Sequence, residues 1–238
     1  MRGPYGFDMS DSCENGSLKK SEFFCGLSQQ ALKDFDAIKS SSVYPEGAML
    51  FLEKQESRGV FVLCDGEVKL TISSSEGKTL ILRIAKAGEV LGLMATLSEE
   101  PYELTAETLR PCRVAFVRRD EFLRFVERQP QVTHGILKQL TANYHAACDQ
   151  LKTVGLSSSA PEKLARLLLG WSAGGEETKS GTRITMPLTH QEIAEFIGSS
   201  RKTVTRTLSD FRSRHLVTTK GSTLMIANRP ALQACAND

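Results

Sequence analysis

The chain has 238 residues, 40% hydrophobic and 24% charged, with a net charge of +2, the composition of an ordinary soluble globular protein with apolar material for more than one core. No run approaches the roughly 20 apolar residues needed to cross a bilayer, and no basic start followed by an apolar stretch marks a secretion signal, so a cytoplasmic protein with no membrane partner is expected. The cysteines Cys13, Cys25, Cys64, Cys112, Cys148 and Cys235 are far apart and form no C-x-x-C pair, which suggests neither a zinc clip nor a compact disulfide framework and leaves reduced thiols as the expectation.

Residues 1–19 are rich in Gly, Ser, Asp and Asn and read as a loose tail. A short helix is expected over Ser28 to Ile38, where Leu32, Phe35 and Ile38 have helical spacing. From about Val43 to Arg118 the pattern becomes short apolar runs: Val68, Leu70 and Ile72 alternate with polar residues, as do Leu80, Leu82 and Ile84, each set marking a strand with one buried face. Turn signals at Asp65-Gly66, Ser75-Glu76-Gly77 and Lys86-Ala87-Gly88 separate the runs. The regular spacing predicts an antiparallel barrel, roll or sandwich, with residues 20–129 forming one β-rich domain.

Pro130 opens a segment, 130–156, that contains no further proline and reads as one long helix. Leu137, Leu140, Tyr144, Ala147, Leu151 and Val154 recur at alternating steps of three and four, a narrow stripe at the 3.5-residue period. A stripe so narrow points to a helix–helix contact between two copies of the chain, rather than to the broader face that a core helix buries. His134, His145 and Cys148 fall on nearly one face of this helix, but helical histidines are more often exposed or hydrogen-bonded than metal ligands, and no metal is expected. Neither Cys25 nor Cys148 carries a sequence sign of reactivity.

The three serines in Leu156 to Ala160 make a hinge before a second domain, 157–238. Ser159, Pro161 and Glu162 give an N-cap, a first-turn proline and a capping-box acid for a helix running to about Trp171; Gly174 to Gly181 reads as a polar loop. Thr189-His190-Gln191-Glu192 is a further capping box, starting a short helix that Gly198 ends. Ser199 or Ser200 then caps a helix with Val204, Leu208 and Phe211 on its apolar stripe, leaving Arg201, Lys202, Thr205, Arg206 and Ser209 off it. Two short helices joined by a glycine turn, the second cationic near its start, are the parts of a helix-turn-helix. Leu216-Val217-Thr218-Thr219 and Leu224-Met225-Ile226 flank Lys220-Gly221-Ser222 as a hairpin, which completes a winged helix. The expected fold class is therefore α+β: an N-terminal antiparallel β-roll, a long dimerisation helix and a C-terminal winged helix-turn-helix. The partner it implies is double-stranded DNA. Thr189, Gln191, Ser199, Ser200, Arg201, Lys202, Thr205, Arg206 and Lys220 are the candidate DNA-contacting residues, the arginines suited to guanine O6 and N7 and the hydroxyls to phosphate.

From about Phe23 to Ala227 the chain resembles the CRP/FNR family of bacterial transcription regulators. The resemblance is closest over Leu188-Thr189-His190-Gln191-Glu192-Ile193-Ala194 and Gly198-Ser199-Ser200-Arg201-Lys202-Thr203-Val204-Thr205-Arg206. It implies a cyclic-nucleotide-binding-like domain before the dimer helix, a homodimer on a palindromic operator, and contact with RNA polymerase, for which the 174–181 loop is a candidate. The family often has glutamate where this chain has Lys202, and a cation cannot accept a bond from cytosine N4. The effector pocket would fall at Gly92, Leu93, Met94, Leu104 and Thr105, stretches that carry neither the acid nor the arginine of the cyclic-AMP-binding branch, and Glu103 adjoins them. A cyclic phosphate would be poorly paired there, so cyclic AMP is not expected. Cys13 and Cys25 cannot reproduce the clustered cysteines of the iron–sulfur branch. The expected effector is thus an unidentified small molecule, a haem or gas signal, a redox cysteine or none.

No G-x-S-x-G, GxxxxGK[ST] or H-E-x-x-H motif is present, and no enzyme is expected. The alternative to a regulator is a small-molecule-binding signalling protein whose DNA-binding part is vestigial, a reading opposed by the intact cap, turn and cationic helix.

Overall fold

The computed structural model describes residues 5, 23–24, 27–157, 159–185, 188–221 and 223–236. The expected tail lies outside these residues except for Tyr5, and so do Cys13, Cys25 and Ser222 of the wing turn. In chain order the elements are α1 (Gln29–Ile38), β1 (Ser40–Tyr44), β2 (Met49–Phe51), β3 (Gly59–Asp65), β4 (Glu67–Ser73), β5 (Thr79–Lys86), β6 (Val90–Leu91), α2 (Leu93–Ser98), β7 (Thr105–Thr108), β8 (Cys112–Arg118), α3 (Arg119–Arg128) and α4 (Gln131–Gly155). They continue with α5 (Ala160–Ser172), β9 (Glu176–Thr178), β10 (Gly181–Thr185), α6 (His190–Ile197), α7 (Arg201–Ser213), β11 (Val217–Lys220), β12 (Thr223–Ile226) and α8 (Arg229–Cys235). Two compact units result, one from residues 1–77 and 82–146, the other from 78–81 and 147–238, so both β5 and α4 are divided between them.

In the first unit two antiparallel four-stranded sheets form, in the orders β1-β8-β3-β6 and β2-β7-β4-β5. Strand β3 shows why they stack. Its residues are buried on both faces from Gly59 to Cys64, and alternate side chains go to different cores. Val60, Val62 and Cys64 join Phe35 of α1, Phe122 and Phe125 of α3, and Val132 and Ile136 of α4. Phe61 and Leu63 join Phe51, Leu70, Ala85 and Ala106. Each such apolar side chain contributes about 1.5–3 kcal/mol on burial.

Three features of this unit differ from the sequence expectation. In β5 the deeply buried residues are Ile81 and Ala85, while Leu80, Leu82 and Ile84 are half-buried; the strand is apolar at both parities, so alternation alone does not choose its inner face. Helix α2 starts within the stretch expected only to line a pocket. Helix α3, whose Phe122 and Phe125 occupy adjacent turns of one face, follows β8 directly.

Helix α4 begins one residue after Pro130. Of the expected stripe, Leu137, Tyr144 and Leu151 are 57%, 68% and 64% exposed, whereas Leu140 is half-buried against the β-roll core and Ala147 and Val154 are half-buried. No helix among the described residues is long and apolar enough to cross a membrane.

The second unit starts α5 as its sequence dictates: Ser159 Oγ accepts from Glu162 N at 3.2 Å, with proline in the first turn. The segment expected as a plain loop over 174–181 instead contains β9 and the start of β10, paired Thr178 to Gly181. This hairpin extends the wing into a four-stranded sheet, β11-β12-β10-β9. Glu176-Glu177-Thr178 has no apolar alternation to announce a strand; its backbone pairs with Gly181, Thr182 and Arg183 of β10. Helix α8, capped by Asn228, has no counterpart in the sequence expectation.

Candidate nucleic-acid interface and effector cavity

The helix-turn-helix is assembled by local capping. Thr189 Oγ1 accepts from Glu192 N at 3.2 Å and Thr189 N donates to Glu192 Oε2 at 2.8 Å, a complete capping box. Gly198 ends α6 in the left-handed region at φ 59°, and its N–H bonds Ala194 O. A Cβ there would meet nothing closer than 3.7 Å, so the need for glycine is conformational rather than spatial. Ser199 N also donates to Ala194 O, at 2.8 Å. Ser200 Oγ then caps α7 by accepting from Thr203 N at 3.1 Å. Ile193, Ala194 and Ile197 of α6 and Val204, Leu208 and Phe211 of α7 are all buried, and the two helices pack together and against α5.

This packing leaves one face of α7 outside. Arg201, Lys202, Thr205 and Arg206 are exposed, and among the described residues no ion pair or side-chain hydrogen bond engages Arg201, Lys202 or Arg206. Nearby acids are already engaged: Glu192 in its capping box, Glu195 by Gln191 Nε2 at 2.9 Å, and Asp210 by Arg214 at 3.4 Å. Lys220 is exposed at the end of β11, where it pairs with Thr223. One contributor is absent from the sequence expectation. His190 Nδ1 lies 2.9 Å from Thr205 Oγ1, which itself donates to Arg201 O at 3.0 Å; a contact across fifteen residues leaves no local pattern to detect.

In the first unit, Gly92, Leu93, Met94 and Leu104 line a cavity of about 60 Å³ together with Arg83 and Glu103. Thr105 does not; its Oγ1 accepts from Glu53 N at 3.0 Å. Arg83 lies outside the stretches read for this pocket and reaches it because β5 brings it in from a distant part of the sequence. It is ion-paired with Glu89. Arg83 also borders a larger cavity of about 500 Å³, with Phe23, Lys86, Glu89, Gln139 and Asn143. Burial pushes the thiols of Cys64 and Cys112 above the ordinary cysteine range, which keeps them protonated and unreactive. Among the described residues no group of three or more His, Cys, Asp or Glu is placed to hold a metal, so the trio of His134, His145 and Cys148 is not gathered into a site.

Residues 42–129 match the cyclic nucleotide-binding domain model and residues 162–235 the Crp-like helix-turn-helix domain model. The chain belongs to the CRP/FNR family. It is similar to the CRP-like cAMP-activated global transcriptional regulator of Mycobacterium tuberculosis (strain ATCC 25618 / H37Rv), with 23% identity over 90% of this chain and 96% of that protein. It is also similar to the transcriptional activatory protein AadR of Rhodopseudomonas palustris, with 27% identity over 86% of this chain and 85% of that one. The fold matches that of FixK2 from Bradyrhizobium japonicum, with a TM-score of 0.72, 21% identity, and coverage of 83% of this chain and 97% of the other. As a CRP/FNR-type transcription regulator the chain carries a helix-turn-helix DNA-binding domain, and its relatives are transcription regulators rather than enzymes.

Proposed function

We propose that the protein is a cytoplasmic, homodimeric regulator that binds a two-fold symmetric operator by placing α7 of each protomer in successive major grooves. The observation that carries this reading is the face of α7 itself: three exposed cations with no internal partner among the described residues, beside a turn fixed by two caps. Charges that fold without partners are available to phosphates and base edges. Leu137, Tyr144 and Leu151, exposed at seven-residue intervals, supply a seam for a second α4. The β9–β10 hairpin is the proposed contact for RNA polymerase.

The effector is proposed to be something other than cyclic AMP. The cavity lined by Gly92, Leu93, Met94 and Leu104 also carries Glu103 and Arg83. A phosphate entering it would meet Glu103 and an arginine already neutralised by Glu89, an unfavourable exchange. Titration of the purified protein with cyclic AMP by calorimetry, beside duplex binding across a salt series, tests both halves. Heat of binding in the micromolar range or tighter would overturn the effector reading. Duplex binding unaffected by salt would overturn the operator reading.

A further inference from the structure

We propose that the first two turns of α7 form a donor-only reader, in which Lys202 selects guanine, so that each half-site carries guanines at the two base pairs facing Lys202 and Arg206. This rests on the reading that α7 enters the major groove. Arg201, Lys202 and Arg206 carry hydrogen-bond donors and no acceptor. Two hydroxyls that could have accepted from a base, those of Ser200 and Thr205, are engaged inside the motif. Ser200 Oγ takes Thr203 N at 3.1 Å and lies 2.9 Å from Thr203 Oγ1; Thr205 Oγ1 lies between Arg201 O and His190 Nδ1. No carboxylate occurs in α7 before Asp210, which pairs with Arg214.

Such a face discriminates among bases by exclusion as well as by attraction. In the major groove cytosine presents only the N4 donor, adenine the N6 donor beside the N7 acceptor and thymine the O4 acceptor beside its methyl group, while guanine presents two acceptors, O6 and N7, and no donor. A cation facing cytosine N4 finds no acceptor, and facing adenine N7 or thymine O4 it finds one. Facing guanine it can bond both acceptors, a difference of roughly 5- to 150-fold in affinity per base pair. Lys202 and Arg206 are one helical turn apart, about 5–6 Å between Cβ atoms, close to two steps of the roughly 3.4 Å rise between base pairs. The two guanines are therefore expected about two base pairs apart.

The test is selection from random duplex DNA at low salt by the full-length protein and by Lys202→Met, Lys202→Glu and Arg206→Met, with affinities for the selected duplexes followed across a salt series. Lys202 is exposed, so unchanged thermal unfolding of its variants confirms that only the surface has altered. The expected result is guanine at the position whose preference Lys202→Met erases. Lys202→Glu should replace it on the same strand by cytosine or adenine, and the position erased by Arg206→Met should lie about two base pairs away. If Lys202→Met weakens every duplex alike, lowers the salt slope by about one and leaves base choice unchanged, Lys202 is a phosphate contact and the inference fails while DNA recognition stands. If neither the wild type nor any variant shows salt-dependent duplex binding, both fail together.

Discussion

Two sets of cations in this molecule are treated in opposite ways. In the β-roll unit Arg83 is paired with Glu89, Lys69 with Glu107 at 3.0 Å and Arg110 with Glu67 at 3.6 Å. On α7, Arg201, Lys202 and Arg206 have no such partner among the described residues, although Glu192, Glu195 and Asp210 lie in the same two helices. The difference is one of assignment rather than supply. Each acid near α7 is tied up by a cap, a glutamine or a distal arginine, and the cations of the outer face stay free to meet an external anion. In the β-roll the same chemistry is closed on itself in ion pairs.

The largest way to break this contrast is to remove the free set. Arg201→Ala with Arg206→Ala is expected to reduce operator affinity on the order of 100-fold or more, and to flatten the dependence of log K on log salt by about one for each phosphate that no longer meets a cation. Fluorescence anisotropy with a labelled operator duplex reads both quantities. Retained affinity would show that these arginines are merely solvated. A smaller but structural effect is expected at the turn that presents them. Gly198→Ala forces a side chain into the left-handed region at a cost of about 1–2 kcal/mol, to be seen as faster amide exchange from Ile197 to Val204. Unchanged exchange would mean that the turn does not depend on its glycine.

The same contrast explains what could be read from the sequence. The capping boxes at Thr189 and the cap at Ser200 act over three residues, so the helix-turn-helix, its turn at Gly198 and the outward face of α7 are legible as written. The sensor cavity is built otherwise. Arg83 comes from β5, Gly92 from the cap of α2 and Leu104 from the edge of β7, and only the sheet order brings them together. In β5, Leu80-Ile81-Leu82 places apolar residues at both parities, so period-two reasoning could not decide that Ile81 and Ala85 point inward with Arg83 between them. Strand β9 and the His190–Thr205 contact are illegible for related reasons: an exposed strand carries no burial pattern, and a hydrogen bond between helices has no fixed spacing.

A third variant sharpens the comparison by removing a cation from the closed set. Arg83→Met should cost about 1 kcal/mol of β-roll stability through removal of a partly exposed ion pair, measured as a shift in thermal unfolding. It should leave the salt slope for DNA as it was. A changed slope would mean that Arg83 contributes to the DNA-facing field despite its pairing with Glu89.

The smallest expected effect separates two kinds of free cation. Lys220 stands at the tip of β11 beside Gly221, which is left-handed at φ 59°, and the paired strands β11 and β12 hold it on a short hairpin. A lysine carried by a wing is suited to phosphate, because it brings a point charge to the backbone without the fork geometry that base edges reward. Lys220→Ala should therefore weaken binding by a few-fold, about 1 kcal/mol or less, equally for all duplexes, with the salt slope reduced by about one and the selected sequence unaltered. A shift in base choice would instead place the wing within a groove, and the reading of sequence could no longer be assigned to α7 alone.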